Sequence, residues 1–131
     1  MAKYPKEIEA FFKKLDAARR KDAEEIYEFI RQARPDLEPF VIGNYVGFGK
    51  FHYKGKTCEG DWFMVGMACN KASLGVYSCG VNEKGMLPEQ YASQLGKVSV
   101  GKSCIRFKKW GDVNQPVLRK LLKESKKFAF D

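Results

Sequence analysis

Gly96-Lys97-Val98-Ser99-Val100-Gly101-Lys102-Ser103 satisfies the pattern G-x-x-x-x-G-K-[ST]. In nucleotide-hydrolysing proteins that run wraps phosphates in backbone N–H groups. The chemistry needs a strand entering the loop and a helix leaving it, with the positive helix end on the phosphates. Here a helical segment precedes Gly96, and Cys104-Ile105-Arg106-Phe107 alternates as a strand. The order is reversed, so no ATP or GTP hydrolysis is expected. His52 is the only histidine. With Glu59 and Asp61 it offers one imidazole and two carboxylates, a ligand set suited to Fe(II). The competing reading gives those acids to a hairpin end around Gly60, where carboxylates serve turns, and gives His52 to hydrogen-bonded packing. Nucleophilic catalysis needs a serine or cysteine activated by a base, and none adjoins His52 in sequence. The chain reads as non-catalytic.

Binding chemistry has more to work with. Tyr45, Phe48, Phe51, Tyr53, Trp62, Phe63 and Tyr77 crowd into one stretch of strands. Most belong in a core, while some are placed to line an apolar ligand pocket. Aromatic rings beside cations also suit single-stranded nucleic acid, although no RNP or KH signature is present. The net charge of +8 is concentrated late in the chain: from Lys97 to Lys127 only Asp112 and Glu124 oppose the lysines and arginines. Such asymmetry points to an acidic partner, or to a lysine-rich solvated surface. Candidate ligand-binding residues are His52, Tyr53 and Trp62, with Lys97, Lys102 and Arg106 for an anionic group; the candidate metal set is His52, Glu59 and Asp61.

These residues need a scaffold. With 44% hydrophobic and 31% charged residues in 131, the chain has the composition of one globular domain and not of a disordered segment. No apolar run is long enough to span a bilayer, and the first residues lack the apolar segment of a secretory signal. A cytoplasmic protein with no membrane partner is expected. Cys58, Cys69, Cys79 and Cys104 form no Cys-x-x-Cys pair, and are read as reduced, structural thiols.

Ile8, Phe11, Phe12 and Leu15 repeat with helical spacing behind Pro5. Asp16 is placed to cap a second helix with a stripe of Ala23, Ile26, Phe29 (or Ile30) and Ala33, which Pro35 terminates. Strands are expected near 40–46, 48–54, 62–69 and 74–79, with turns at Lys54-Gly55-Lys56 and Cys69-Asn70-Lys71. The third strand is apolar on both parities, which predicts a central position with Trp62 buried. Asn82 to Met86 reads as a loop and Pro88 to Leu95 as a short helix. Ser103 to Lys108 reads as a last strand, with Arg106 and Lys108 opposite Ile105 and Phe107. Asn114 and Pro116 open a final helix carrying Val117, Leu118, Leu121 and Leu122. The whole predicts an α+β two-layer sandwich, a mainly antiparallel sheet of about five strands with helices packed largely on one face.

Gly47-Phe48-Gly49-Lys50-Phe51-His52-Tyr53-Lys54, Gly60-Asp61-Trp62, Leu95-Gly96-Lys97, Gly101-Lys102-Ser103-Cys104-Ile105 and Lys108-Lys109 together resemble the YdhG-like family of domains of unknown function. The resemblance runs in order from Ile8 to Glu124. It implies one two-layer α/β domain over residues 1–131 and a glycine-lysine-serine run that leads into a strand. Some relatives in that family are described as frataxin-like intracellular iron chaperones, which implies iron as cargo presented by carboxylates. The acidic row available for that here is Asp22, Glu24, Glu25 and Glu28, interspersed with cations. The expected function is a binding domain for an unknown small molecule or acidic partner, an anionic ligand among the candidates, with no resident cofactor, and iron delivery or weak nucleic-acid binding as alternatives.

Overall fold

Two amphipathic helices open the chain. The computed structural model describes residues 4–54, 59–69, 73–82, 84–101, 103–125 and 127–128. Helix α1 spans Lys6–Lys13 and buries Ile8 and Phe12. Asp16 caps α2, Ala17–Ala33, by accepting the Arg19 N–H at 2.9 Å. That cap satisfies one of the donors that a helix start leaves unpaired. The Ala23, Ile26, Phe29, Ile30 and Ala33 stripe is buried, and the helix stops just ahead of Pro35.

Six antiparallel strands follow in the main sheet. They are β1 (Pro39–Ile42), β2 (Tyr45–Lys54), β3 (Glu59–Cys69), β4 (Leu74–Ser78), β7 (Ser99–Val100) and β8 (Cys104–Phe107), ordered β1-β2-β3-β4-β8-β7. A second sheet of three short strands, β5 (Gly80–Asn82), β6 (Gly85–Met86) and β9 (Lys127–Phe128), runs β6-β5-β9. Between them lie a short helix α3 (Leu87–Gln90) and the amphipathic α4 (Gln115–Glu124). Asn114 caps α4 through the Val117 N–H, and Leu118, Leu121 and Leu122 are buried. Every buried apolar side chain of α1, α2 and α4 joins Val46, Phe48, Val65, Met67, Val76, Ile105 and Phe107 in one core. The protein is an α+β sandwich with the helices on one face of the sheet.

Several boundaries differ from the sequence reading. The expected strand over 40–46 is cut by a two-residue hairpin, Gly43-Asn44, with Ile42 paired to Tyr45. Gly43 has φ 57° and Asn44 a negative φ, the glycine-first pattern of a type II′ hairpin turn. The stretch from 82 to 86, expected as a loop, contributes to two strands of the small sheet. Of the expected turns, Gly55, Lys56, Asn70 and Lys71 lie outside the described residues.

Trp62 is half-buried, and the buried tryptophan is Trp110. The physical cause is a break in alternation. Phe48 pairs with Val65 and Lys50 with Phe63, but between them Gly49, at φ 79°, donates its N–H to Glu38 O at 3.0 Å instead. Met64 and Val65 consequently both enter the core, while Phe63 goes to the other side.

Candidate ligand-binding surface

The β7–β8 hairpin organises the basic residues. Ser99 pairs with Arg106 and Val100 with Ile105. Strict alternation in β8 buries Ile105 and Phe107 and leaves Arg106 exposed, with Lys108 exposed beyond the strand end. Lys97 enters from Gly96, whose φ is 97°. A Cβ on Gly96 would stand 2.5 Å from Asp112 O, so only glycine lets the chain pass this close. The Lys97 N–H then bonds Asp112 O at 3.0 Å. The result is a shallow cavity of about 350 Å³ lined by Lys97, Ser99, Arg106, Phe107, Lys108 and Asp112. Three cations face one carboxylate there. The described residues on either side of Lys102 thus form the strands β7 and β8, and among the described residues Ser103 leads into a strand and not into a helix start.

Next to this cavity the face of the sheet opposite the helix-side core carries an aromatic layer. Tyr45 and Tyr77 lie 5.3 Å apart edge to face, Tyr45 and Trp62 5.5 Å apart, and Trp62 stacks on Phe63 at 4.4 Å. The rings rest on glycines. A Cβ on Gly66 would meet the Phe63 ring at 2.4 Å, one on Gly47 would meet Phe63 Cβ at 2.8 Å, and one on Gly75 would meet Tyr77 at 3.1 Å. Phe63 is fully buried yet stands outside the helix-side core, and Tyr45, Trp62 and Tyr77 are each partly exposed. The Trp62 indole N–H donates to Cys79 Sγ at 3.2 Å. Burial pushes the Tyr77 phenol above its ordinary range, against the pull of the neighbouring Arg106 guanidinium. Arg106 therefore joins the aromatic layer to the basic cavity.

Sequence reasoning named Lys97, Arg106 and Trp62, and the structure gathers the first two at one cavity with Trp62 in the adjoining layer. Lys108, Tyr45 and Tyr77 were absent from the candidate set. The signal for Lys108 was its shared parity with Arg106; for the tyrosines it was the glycines spaced along the facing strands. Lys102 lies outside the described residues, and of Tyr53 only the backbone on β2 is described.

His52 and Asp61 sit elsewhere, directly opposite each other on β2 and β3. His52 Nδ1 lies 3.0 Å from Asp61 Oδ1, and Lys50 Nζ 3.7 Å from Asp61 Oδ2. The His52 hydrogen bond, with Lys50 nearby, holds the Asp61 carboxyl below its ordinary range. Glu59 pairs with Lys54 at the far end of the same ladder, and its side chain is not described. Within the acidic row, Glu24 is held by Arg20 at 2.8 Å, and the same guanidinium holds Glu9 at 2.8 Å. Among the described residues no three histidine, cysteine, aspartate or glutamate side chains converge as a metal site requires. Cys69, Cys79 and Cys104 are free thiols, and burial pushes Cys69 up to about 12 and Cys79 upward. Cys58 lies outside the described residues.

No protein-family model matches the chain, and no curated protein or solved structure matches it significantly. The surface must speak through its own chemistry. It offers point charges and a guanidinium fork beside ring faces, chemistry suited to an anion next to a flat group. Among the described residues, no helix is long and apolar enough to cross a membrane.

Proposed function

We propose that this chain is a non-catalytic, cytoplasmic binding domain of the YdhG-like kind, which takes an anionic ligand at the basic cavity. One observation carries the reading: Lys97, Arg106 and Lys108 line a cavity of about 350 Å³ in which, among the described residues, Asp112 is the one carboxylate opposing them. Arg106 supplies the planar fork that matches phosphate or carboxylate, while the lysines add point charge. The three are exposed, so an anion reaches them without rearrangement of the core. Their exposure also makes the attraction sensitive to salt. Iron delivery has less support, because Glu24 of the acidic row is already neutralised by Arg20 and Asp61 is held by His52 and Lys50.

The test is a calorimetric titration with inorganic tripolyphosphate at low and physiological salt. Saturable binding is expected, several-fold weaker at the higher salt. Arg106→Gln and Lys97→Gln should each weaken it by roughly tenfold, the usual scale for one charge-assisted contact. Binding that is indifferent to both substitutions, or absent at low salt, would remove the cavity as the site.

A further inference from the structure

The basic cavity does not stand alone; it adjoins a sheet face that, among the described residues, carries an aromatic layer in place of a helix. Tyr45 on β2, Trp62 and Phe63 on β3 and Tyr77 on β4 occupy neighbouring strands, with Arg106 on β8 next in line. A sheet face this apolar is ordinarily buried under a second layer. Here its cover consists of the aromatic rings themselves, laid on Gly47, Gly66 and Gly75. Tyr45, Trp62 and Tyr77 keep part of their surface in solvent. Arg106, Lys97 and Lys108 stand at one margin; at the other Lys50 lies 5.6 Å from the centre of the Phe40 ring and shares its charge with Asp61 at 3.7 Å.

We infer that this face binds single-stranded nucleic acid, with bases stacked on Tyr45, Trp62 and Tyr77 and backbone phosphates on Arg106, Lys97 and Lys108. The inference rests on the anion-binding reading above and names its ligand. Two features select this partner over other anions. The cations account for a phosphate chain, but an acidic peptide or inorganic polyphosphate has no use for partly exposed rings. Flat π-faces spaced by strands on an open antiparallel sheet are what unpaired bases stack on. A duplex keeps its bases stacked internally and presents only phosphates to such a surface. Tyr77 ties the two halves together. Its ring lies over Gly75, which pairs with Arg106, so a base on Tyr77 brings its own phosphate within reach of the guanidinium.

The experiment is a fluorescence-anisotropy titration of a labelled mixed-sequence 12-mer as single-stranded DNA, as single-stranded RNA and as duplex DNA. Inorganic polyphosphate, a polyanion without bases, serves as competitor. Single strands should bind about tenfold more tightly than the duplex and resist displacement by polyphosphate, since each stacked base adds roughly that factor. Tyr77→Leu, which keeps an apolar cover on Gly75, should cost single strands about tenfold and leave polyphosphate binding unchanged. Arg106→Gln should weaken both ligands, and tryptophan emission should be quenched on binding in the unsubstituted protein but not in Trp62→Phe. If polyphosphate and single strands bind equally and Tyr77→Leu costs neither, the nucleic-acid inference fails while the anion cavity stands. If no polyanion binds, both fail. Should Tyr77→Leu not fold, the order of single strand, duplex and polyphosphate on the unsubstituted protein still decides.

Discussion

The two faces of β3 solve the same problem with opposite materials. On the helix side, Val65 and Met67 join Phe12, Ile26 and Tyr27 in one closed, almost wholly buried core. On the other side the strand presents Gly66 and Ala68, covered by the rings of Phe63, Tyr45 and Tyr77. The first arrangement removes apolar surface from water by docking separate elements, and this is the main source of stability. The second hides a glycine-rich backbone under rings from the sheet itself and leaves part of each tyrosine available. One face holds the fold together; the other keeps a surface suited to a ligand.

The sharpest way to break that comparison is to truncate one aromatic on each face. Phe48→Ala empties a fully buried position, and should cost about 3–5 kcal/mol. Trp62→Ala should cost only about 1–2 kcal/mol, because the ring is partly exposed and less area returns to water. Urea denaturation of both variants gives the order; equal losses would make the aromatic layer a second core.

A smaller effect is expected from Gly66→Ala. The added methyl would enter the Phe63 ring at 2.4 Å, so the ring must be displaced. Overpacking of this kind costs about 1–3 kcal/mol, and the displaced ring should raise tryptophan solvent exposure by disturbing its stack on Trp62. An unchanged midpoint and emission maximum would show that the layer is loosely packed.

The smallest effect concerns the segment just after α3, where the Tyr91 hydroxyl donates to Glu124 of α4. That hydrogen bond, the main cause, pushes the Tyr91 phenol up to about 12. A raised phenol pKa means the fold favours the neutral form. The contribution is therefore fully present below about pH 10 and is lost as pH climbs through about 12. Tyr91→Phe should lower stability by about 0.5–1.5 kcal/mol at neutral pH, and the difference from the unsubstituted protein should shrink under alkali. A gap that stays constant from pH 7 to pH 12 would contradict the assignment.

Local chemistry was legible without coordinates. The stripe Ile8, Phe12, then Ala23, Ile26 and Ile30, the Asp16 and Asn114 caps and the stop at Pro35 all depend on neighbours within a turn or two of chain. The same holds for β8, where Ile105 and Arg106 differ in parity and so in fate. Reading failed where one glycine outweighed pattern. The Gly43-Asn44 turn was passed over between the apolar residues that flank it on both sides, and Gly49 reversed which residues of β3 face the helices. The small sheet was invisible because β9 pairs with β5 across more than forty residues, using strands too short to carry periodicity.

What the sequence by itself determined, then, is the set of amphipathic helices, the charge excess near the C-terminus and the parity of β8, because each follows from side chains interacting with their near neighbours. Only the tertiary structure decided that Lys97, Arg106 and Lys108 share one cavity, that Trp62 belongs to the open layer and Trp110 to the core, and that Arg34 reaches from the end of α2 to the Leu122 carbonyl of α4 at 2.9 Å. Those outcomes depend on register and on which face a strand presents. A single positive-φ glycine can change both without leaving a periodic trace.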